Sequence, residues 1–176
     1  MVPSKPVDAS RTVMTELVMP NDTNPLGDLM GGNLMRWMDI AGGICAARHC
    51  EAHVVTASVD HVSFKKPIKV GDVVTLNACV TKAFNTSVEV FVQVRSGVVT
   101  EGRAEISNHA YLTFVALDPY KHKPKPVPKV EPKTKEEQDL YDGAERRREV
   151  RLVLAGRIEA KDAVAIRKMF AETESK

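Results

Sequence analysis

Between Ser87 and Ser96 the chain alternates without a break: Val88, Val90, Val92 and Val94 on one side, Glu89, Phe91, Gln93 and Arg95 on the other. A period of two predicts a β-strand with one covered and one open face. Neighbouring runs have related character. Thr12 to Met19 reads as a first strand, and Val54 to Phe64 alternates in part through Val55, Ala57, Val59 and His61. Val73 to Ala83 and Arg103 to Leu117 read as two more. Turn formers separate these runs at 19–27, at Lys65-Lys66-Pro67, at Val70-Gly71-Asp72, at Asn85-Thr86 and at 97–102.

One segment follows another rule. From Asn33 to His49 apolar residues (Leu34, Met35, Trp37, Met38, Ile40, Ala41, Ile44, Cys45, Ala46) fall on nearly every side of a helix. A helix that is apolar all round is buried at the centre of a domain. The order is strand, long helix, then four strands with short late links, which implies an antiparallel meander covering the helix. The predicted class is α+β, a curled sheet on a central helix. One sheet covers only part of such a helix, so a second subunit is expected to cover the rest.

The chain has 176 residues, enough for one core with a short appendage. Residues 1–9, with Pro3 and Pro6, read as a flexible lead-in, and 10–118 as the core domain. Residues 119–133 are rich in proline and lysine and read as an extended spacer. Thr134-Lys135-Glu136-Glu137 fits a capping box that opens a charged helix to about Leu154, and Ala160 to Thr173 reads as another short helix. Residues 134–176 are thus a helical extension.

A net charge of +2 and 5% aromatic residues argue against nucleic acid as partner. No apolar run reaches the roughly 20 residues of a membrane span. Three cysteines without a C-x-x-C pair, and five scattered histidines, argue against a disulfide framework or a metal site. The N-terminus lacks the apolar core of a signal peptide, and a cytoplasmic protein is expected.

Asp39 is the sharpest chemical feature. It lies between Met38 and Ile40, well inside the helix, one turn before Gly42-Gly43. Two glycines there cost about 1 kcal/mol each against alanine, which suggests space beside the carboxylate for another backbone or a ligand. A buried carboxylate has a raised pKa and makes a better general base; a structural Asp satisfied by backbone donors is the other reading. Gly31-Gly32 opens the same helix, where free N–H groups suit a developing oxyanion. Asn24, in the loop before it, carries an amide that can orient water.

Met19-Pro20-Asn21-Asp22-Thr23-Asn24, Gly27-Asp28, Gly31-Gly32 and Met38-Asp39-Ile40-Ala41-Gly42 closely resemble the hotdog-fold acyl-CoA thioesterases of the cytosolic acyl-CoA hydrolase family, including their bacterial broad-specificity branch. Val54-Val55-Thr56, Phe64-Lys65-Lys66-Pro67-Ile68, Val70-Gly71-Asp72-Val73-Val74 and Phe114-Val115-Ala116-Leu117-Asp118 extend the match over residues 12–118. The resemblance implies two hotdogs paired edge to edge, with further assembly into hexamers as trimers of dimers. It implies active sites at the dimer interface, with Asp39 as general base or nucleophile and Asn24 from the opposite subunit orienting water or thioester. Gly31 and Gly32 would hold the oxyanion. The expected reaction is hydrolysis of an acyl-CoA to free fatty acid and CoA, with no required cofactor and no metal, CoA being part of substrate and product. Lys65, Lys66, Asn85, Thr86 and Ser87 are candidates for CoA contacts; Lys66 stands where relatives often carry arginine and lacks its planar fork. A hotdog hydratase would want a histidine near the helix, and none precedes His49. A non-catalytic acyl-CoA sensor and a thioesterase acting on acyl carrier protein are the alternatives.

Overall fold

The computed structural model describes residues 3–174 except 61, 63 and 65, with side chains to 170. Its centre is helix α1, Gly31–Cys50. Leu34, Trp37, Met38, Ala41, Cys45 and Ala46 are buried, and they recur at the three- and four-residue spacing that puts them on one stripe. Met35, Ile40 and Ile44, spread over the rest of the helix surface, are exposed. The helix is therefore apolar all round but covered on one side only in the single chain.

The covering sheet has five antiparallel strands: β2 (Thr12–Leu17), β3 (His53–Asp60), β4 (Asp72–Ala83), β5 (Ser87–Val98) and β6 (Glu105–Leu117). Val88, Val90, Val92 and Val94 of β5 are fully buried, as their alternation requires. Leu76 of β4 and Leu112 and Phe114 of β6 are buried as well. A Cβ on Gly42 would lie 3.1 Å from the Phe114 ring and 3.6 Å from Val92. Gly42, one turn after Asp39, thus serves close packing of helix on sheet; where another backbone or a ligand was expected, side chains of the sheet take the space at this glycine. Burying a side chain such as Phe114 stabilises the fold by about 2–3 kcal/mol.

Strand order is β2-β4-β5-β6-β3. β4, β5 and β6 form the expected meander. β3 does not join it in sequence order; it crosses to the far edge and pairs with β6, Val55 opposite Val115. The long connection after β3 makes this possible. It runs past the start of α1, where Leu29 N–H donates to the Ile68 carbonyl (2.7 Å) and Val70 N–H to the Gly27 carbonyl (3.0 Å). The arrangement, a curled antiparallel sheet around one long helix, is the hotdog fold.

The segments read as lead-in and spacer are structured and find each other. β1 (Ser4–Pro6) pairs in parallel with β7 (Lys129–Glu131). Val7, Val127 and Val130 are buried. The proline-rich stretch is bound along its length: Val127 N–H donates to the Asn85 carbonyl (3.2 Å) and Lys125 N–H to that of Ala116 (3.0 Å). Spaced prolines remove only some donors, so the remaining N–H groups still reach the sheet.

The chain divides into two compact units, 1–131 and 132–176. In the second, α2 (Lys135–Leu154) begins with the expected capping box: Glu137 N–H donates to Thr134 Oγ1 (3.2 Å), and Thr134 N–H donates to Glu137 Oε2 (3.2 Å). α3 spans Val164–Glu174. Its first turn donates to Glu149 of α2 from Ala165 N–H (3.0 Å) and Ile166 N–H (2.9 Å), an acidic side chain satisfying helix-start donors.

Candidate active site

Asp39 stands on the open stripe of α1 and is half-buried, less enclosed than its apolar neighbours suggested. Its Oδ1 accepts a hydrogen bond from Thr56 Oγ1 at 2.6 Å. Thr56 comes from β3, beside a register shift that lies between it and Ser58. Such irregularities re-aim side chains next to sites, and here the strand that lines the open stripe aims a hydroxyl at the carboxylate. Thr56 is the functional candidate that side-chain patterning missed. A lone Thr in a strand carries no signal until the register places it.

Asn24 is fixed by its own loop. Its Oδ1 accepts from the N–H groups of Leu26 (2.9 Å) and Asp28 (3.1 Å), and its backbone N–H donates to the Asp28 carbonyl (2.8 Å). This Asx turn occupies the amide oxygen. The NH2 group is left as the part of the side chain able to act outward, so Asn24 is a donor here and not an acceptor.

At the start of α1 the N-cap, Met30, offers no side-chain oxygen. The Gly31 and Gly32 N–H groups have no acceptor among the described residues. Gly31 also lines a cavity of about 280 Å3 walled by Leu29, Leu34, Phe64, Pro67 and Ile68. Its polar members are Asp28, Lys66 and Asn108. Asp28 forms an ion pair with Lys69, and Lys66 one with Glu105. The Lys66 ammonium holds the Glu105 carboxyl below the usual carboxylate range.

Along the helix, Gly31 and Asp39 are eight residues apart, about 12 Å at 1.5 Å per residue. One chain therefore brings Asn24 and Gly31 into one neighbourhood, and Asp39 with Thr56 into another. The candidates for CoA contacts are also split. Lys66 meets Glu105, which pairs with Ser96, whereas Asn85, Thr86 and Ser87 lie at the other end of β5, roughly 30 Å away. Lys65 lies outside the described residues.

Thiol chemistry is not offered. Cys45, Cys50 and Cys79 are all buried and none is in a disulfide, and burial pushes the Cys45 thiol up to about 12 and that of Cys50 to about 11. Among the described residues, no group of His, Cys, Asp or Glu is arranged to hold a metal ion.

Residues 26–102 match the thioesterase superfamily. An uncharacterized acyl-CoA thioester hydrolase of Bacillus subtilis is 46% identical over 78% of this chain and 80% of its own. The chain belongs to the acyl-CoA thioester hydrolase family. It is similar in structure to an apo-hexameric acyl-CoA thioesterase, with TM-score 0.84 and 44% identity over 88% of this chain and 98% of that one. An acyl-CoA hydrolase from Staphylococcus aureus, solved with butyryl-CoA, CoA and CoA disulfide, matches with TM-score 0.82 and 42% identity over 92% and 97% of the two chains. Alanine variants of that enzyme at an Asn, an Asp and a Thr have been solved. Those positions have the same spacing in their chain as Asn24, Asp39 and Thr56 have in this one.

Proposed function

We propose that this protein hydrolyses acyl-CoA thioesters, and that each active site is built from two copies of the chain. The observation that carries the two-copy reading is the separation of about 12 Å between Gly31 and Asp39 on one rigid helix. A thioester carbon held at the Gly31 N–H cannot also meet the Asp39 of the same chain. A second copy laid against the open stripe brings its own Asp39 to the helix start of the first. The surface there suits such a neighbour: Met35 (43% exposed), Ile40 (39%) and Ile44 (41%) on α1, beside the unpaired edge of β3 with Val55 and Val59 exposed. Exposed edges and contiguous apolar surface are covered in stable proteins. The hexameric relative accords with further assembly of such pairs.

In this site the Gly31 and Gly32 N–H groups, with the positive end of α1, stabilise charge developing on the carbonyl oxygen. The Asn24 NH2 donates to the same oxygen or to the attacking water. Thr56 holds one oxygen of Asp39, so the other faces the reaction. Asp39 either takes a proton from water as water adds to the carbonyl carbon, or attacks that carbon itself to give a mixed anhydride that water then opens. Both routes break the C–S bond, release CoA thiol and leave a free carboxylic acid. Label from 18O water found on the Asp39 carboxylate after one turnover identifies direct attack.

The first test is thiol release from acyl-CoAs of two to sixteen carbons with wild type and Asp39→Asn. The expected result is turnover by wild type and a kcat lower by about 10²–10⁴-fold in the variant, with unchanged circular dichroism. Turnover that survives the substitution sinks the assignment of Asp39. Saturable binding of CoA esters without turnover identifies a sensor.

A further inference from the structure

The cavity at the start of α1 has walls that fit a hydrocarbon. Leu29, Leu34, Phe64, Pro67 and Ile68 supply them. The charged members of its rim are matched already, Asp28 by Lys69 and Lys66 by Glu105, so the cavity presents no uncompensated charge to an ionic ligand. Gly31 lines it, and the Gly31 N–H has no acceptor among the described residues. A thioester carbonyl held at that N–H has two substituents to place, sulfur with its CoA arm and the acyl chain. The apolar one belongs in the apolar space.

One side chain of this wall stands against the helix start. The Phe64 ring packs on the first residue of α1 so tightly that a Cβ on Gly31 would lie 3.0 Å from its Cζ. Phe64 is nevertheless 55% exposed, so much of it is free of packing that would lock it. The cavity measures about 280 Å3, so it takes a short acyl chain, and a chain that outgrows it meets the Phe64 ring.

We infer that this cavity takes the acyl chain of the substrate and that Phe64 sets the longest chain it accepts. The inference rests on the hydrolase reading above, and the test separates the two. kcat/KM is measured for acetyl-, butyryl-, octanoyl-, lauroyl- and palmitoyl-CoA with wild type, Phe64→Ala and Phe64→Trp. Binding of the same esters to the Asp39→Asn protein, with and without Phe64→Ala, is followed by calorimetry. The expected result is that Phe64→Ala raises the lauroyl-to-butyryl ratio of kcat/KM at least tenfold. Phe64→Trp lowers the octanoyl-to-butyryl ratio by a similar factor. Calorimetry then shows the same change in chain-length preference. Ratios that stay put while wild type turns over the esters overturn the role of Phe64 and leave the hydrolase standing. A chain-length shift in binding without wild-type turnover keeps the cavity and overturns the hydrolase. Loss of all turnover in Phe64→Ala with native circular dichroism and unchanged binding ratios also overturns the inference.

Discussion

At its first turn, α1 leaves the N–H groups of Gly31 and Gly32 without acceptors among the described residues. At its last turn, its polar ends are tied down. Lys5 Nζ donates to the carbonyls of His49 (3.0 Å) and Arg48 (3.4 Å) and to Glu51 Oε1 (2.6 Å). His49 is fully buried, with Nε2 3.0 Å from the Pro128 carbonyl. Glu51 turns the chain out of the helix in the left-handed region, at φ 47°. Both ends begin with the same deficit of unpaired backbone groups. The fold satisfies the deficit where a cation is available from β1 and leaves it open where a substrate carbonyl is to sit. A helix end with unmet donors beside a cavity is thus a sign of use, and a helix end whose last carbonyls take a lysine is a sign of anchorage.

The contrast is tested most strongly at Asn24. Asn24→Asp keeps the oxygen that accepts from Leu26 and Asp28 N–H groups and removes the outward donor. The expected outcome is a fall in kcat of about 10²–10³-fold, the range for loss of one oxyanion donor, with the melting temperature within 2 °C or so of wild type. A variant with wild-type kcat would make Asn24 a turn residue only, and the open end would lose one of its assigned parts.

The anchored end should behave the other way round. Lys5→Ala removes a charged donor from two helix carbonyls, which costs about 2 kcal/mol of stability, read as a lower urea midpoint. kcat is expected to stay within a factor of two. A large loss of activity at unchanged stability would show that the two ends are not separate in role.

A smaller effect comes from pH. Burial holds the His49 imidazole below its ordinary value of 6.5, and the neighbouring Lys5 charge acts in the same direction. The folded protein keeps His49 neutral where the unfolded chain has begun to take up a proton. Its contribution is therefore complete above about pH 6.5 and declines as pH falls below that value towards the lowered folded pKa. Melting temperatures taken from pH 7.5 to 5 should fall more steeply for wild type than for His49→Asn. Parallel curves would mean that His49 is not the group responsible.

The open end was far more legible in the sequence than the anchored one. Gly31-Gly32, Asn24 and the connection at Phe64 through Ile68 are local clusters of unusual residues, and the strict alternation of β5 fixed which valines turn inward. Glu89 shows where the pattern misleads. It alternates as a surface residue, yet it is fully buried and accepts from Thr81 Oγ1 at 2.6 Å; a two-residue period says which face a side chain is on and nothing of what covers that face. β1 and β7 escaped because three-residue strands with prolines in or around them leave no periodicity. The place of β3 escaped because pairing partners far apart in the chain are decided by the whole sheet. Thr56 was hidden for the same reason: its meaning depends on the register that brings it to Asp39.

The pairing of β1 with β7 also orders events in time. Ser4 Oγ donates to Glu131 Oε1 across 127 positions of sequence, so β1 waits for a partner that is synthesised long after it. Contacts this distant in sequence form late, and a chain emerging from its N-terminus can assemble β2 through β6 on α1 well before residue 131 exists. Lys5 reaches the end of α1 from this same strand, so the locking of that helix end is expected to be among the last steps of folding.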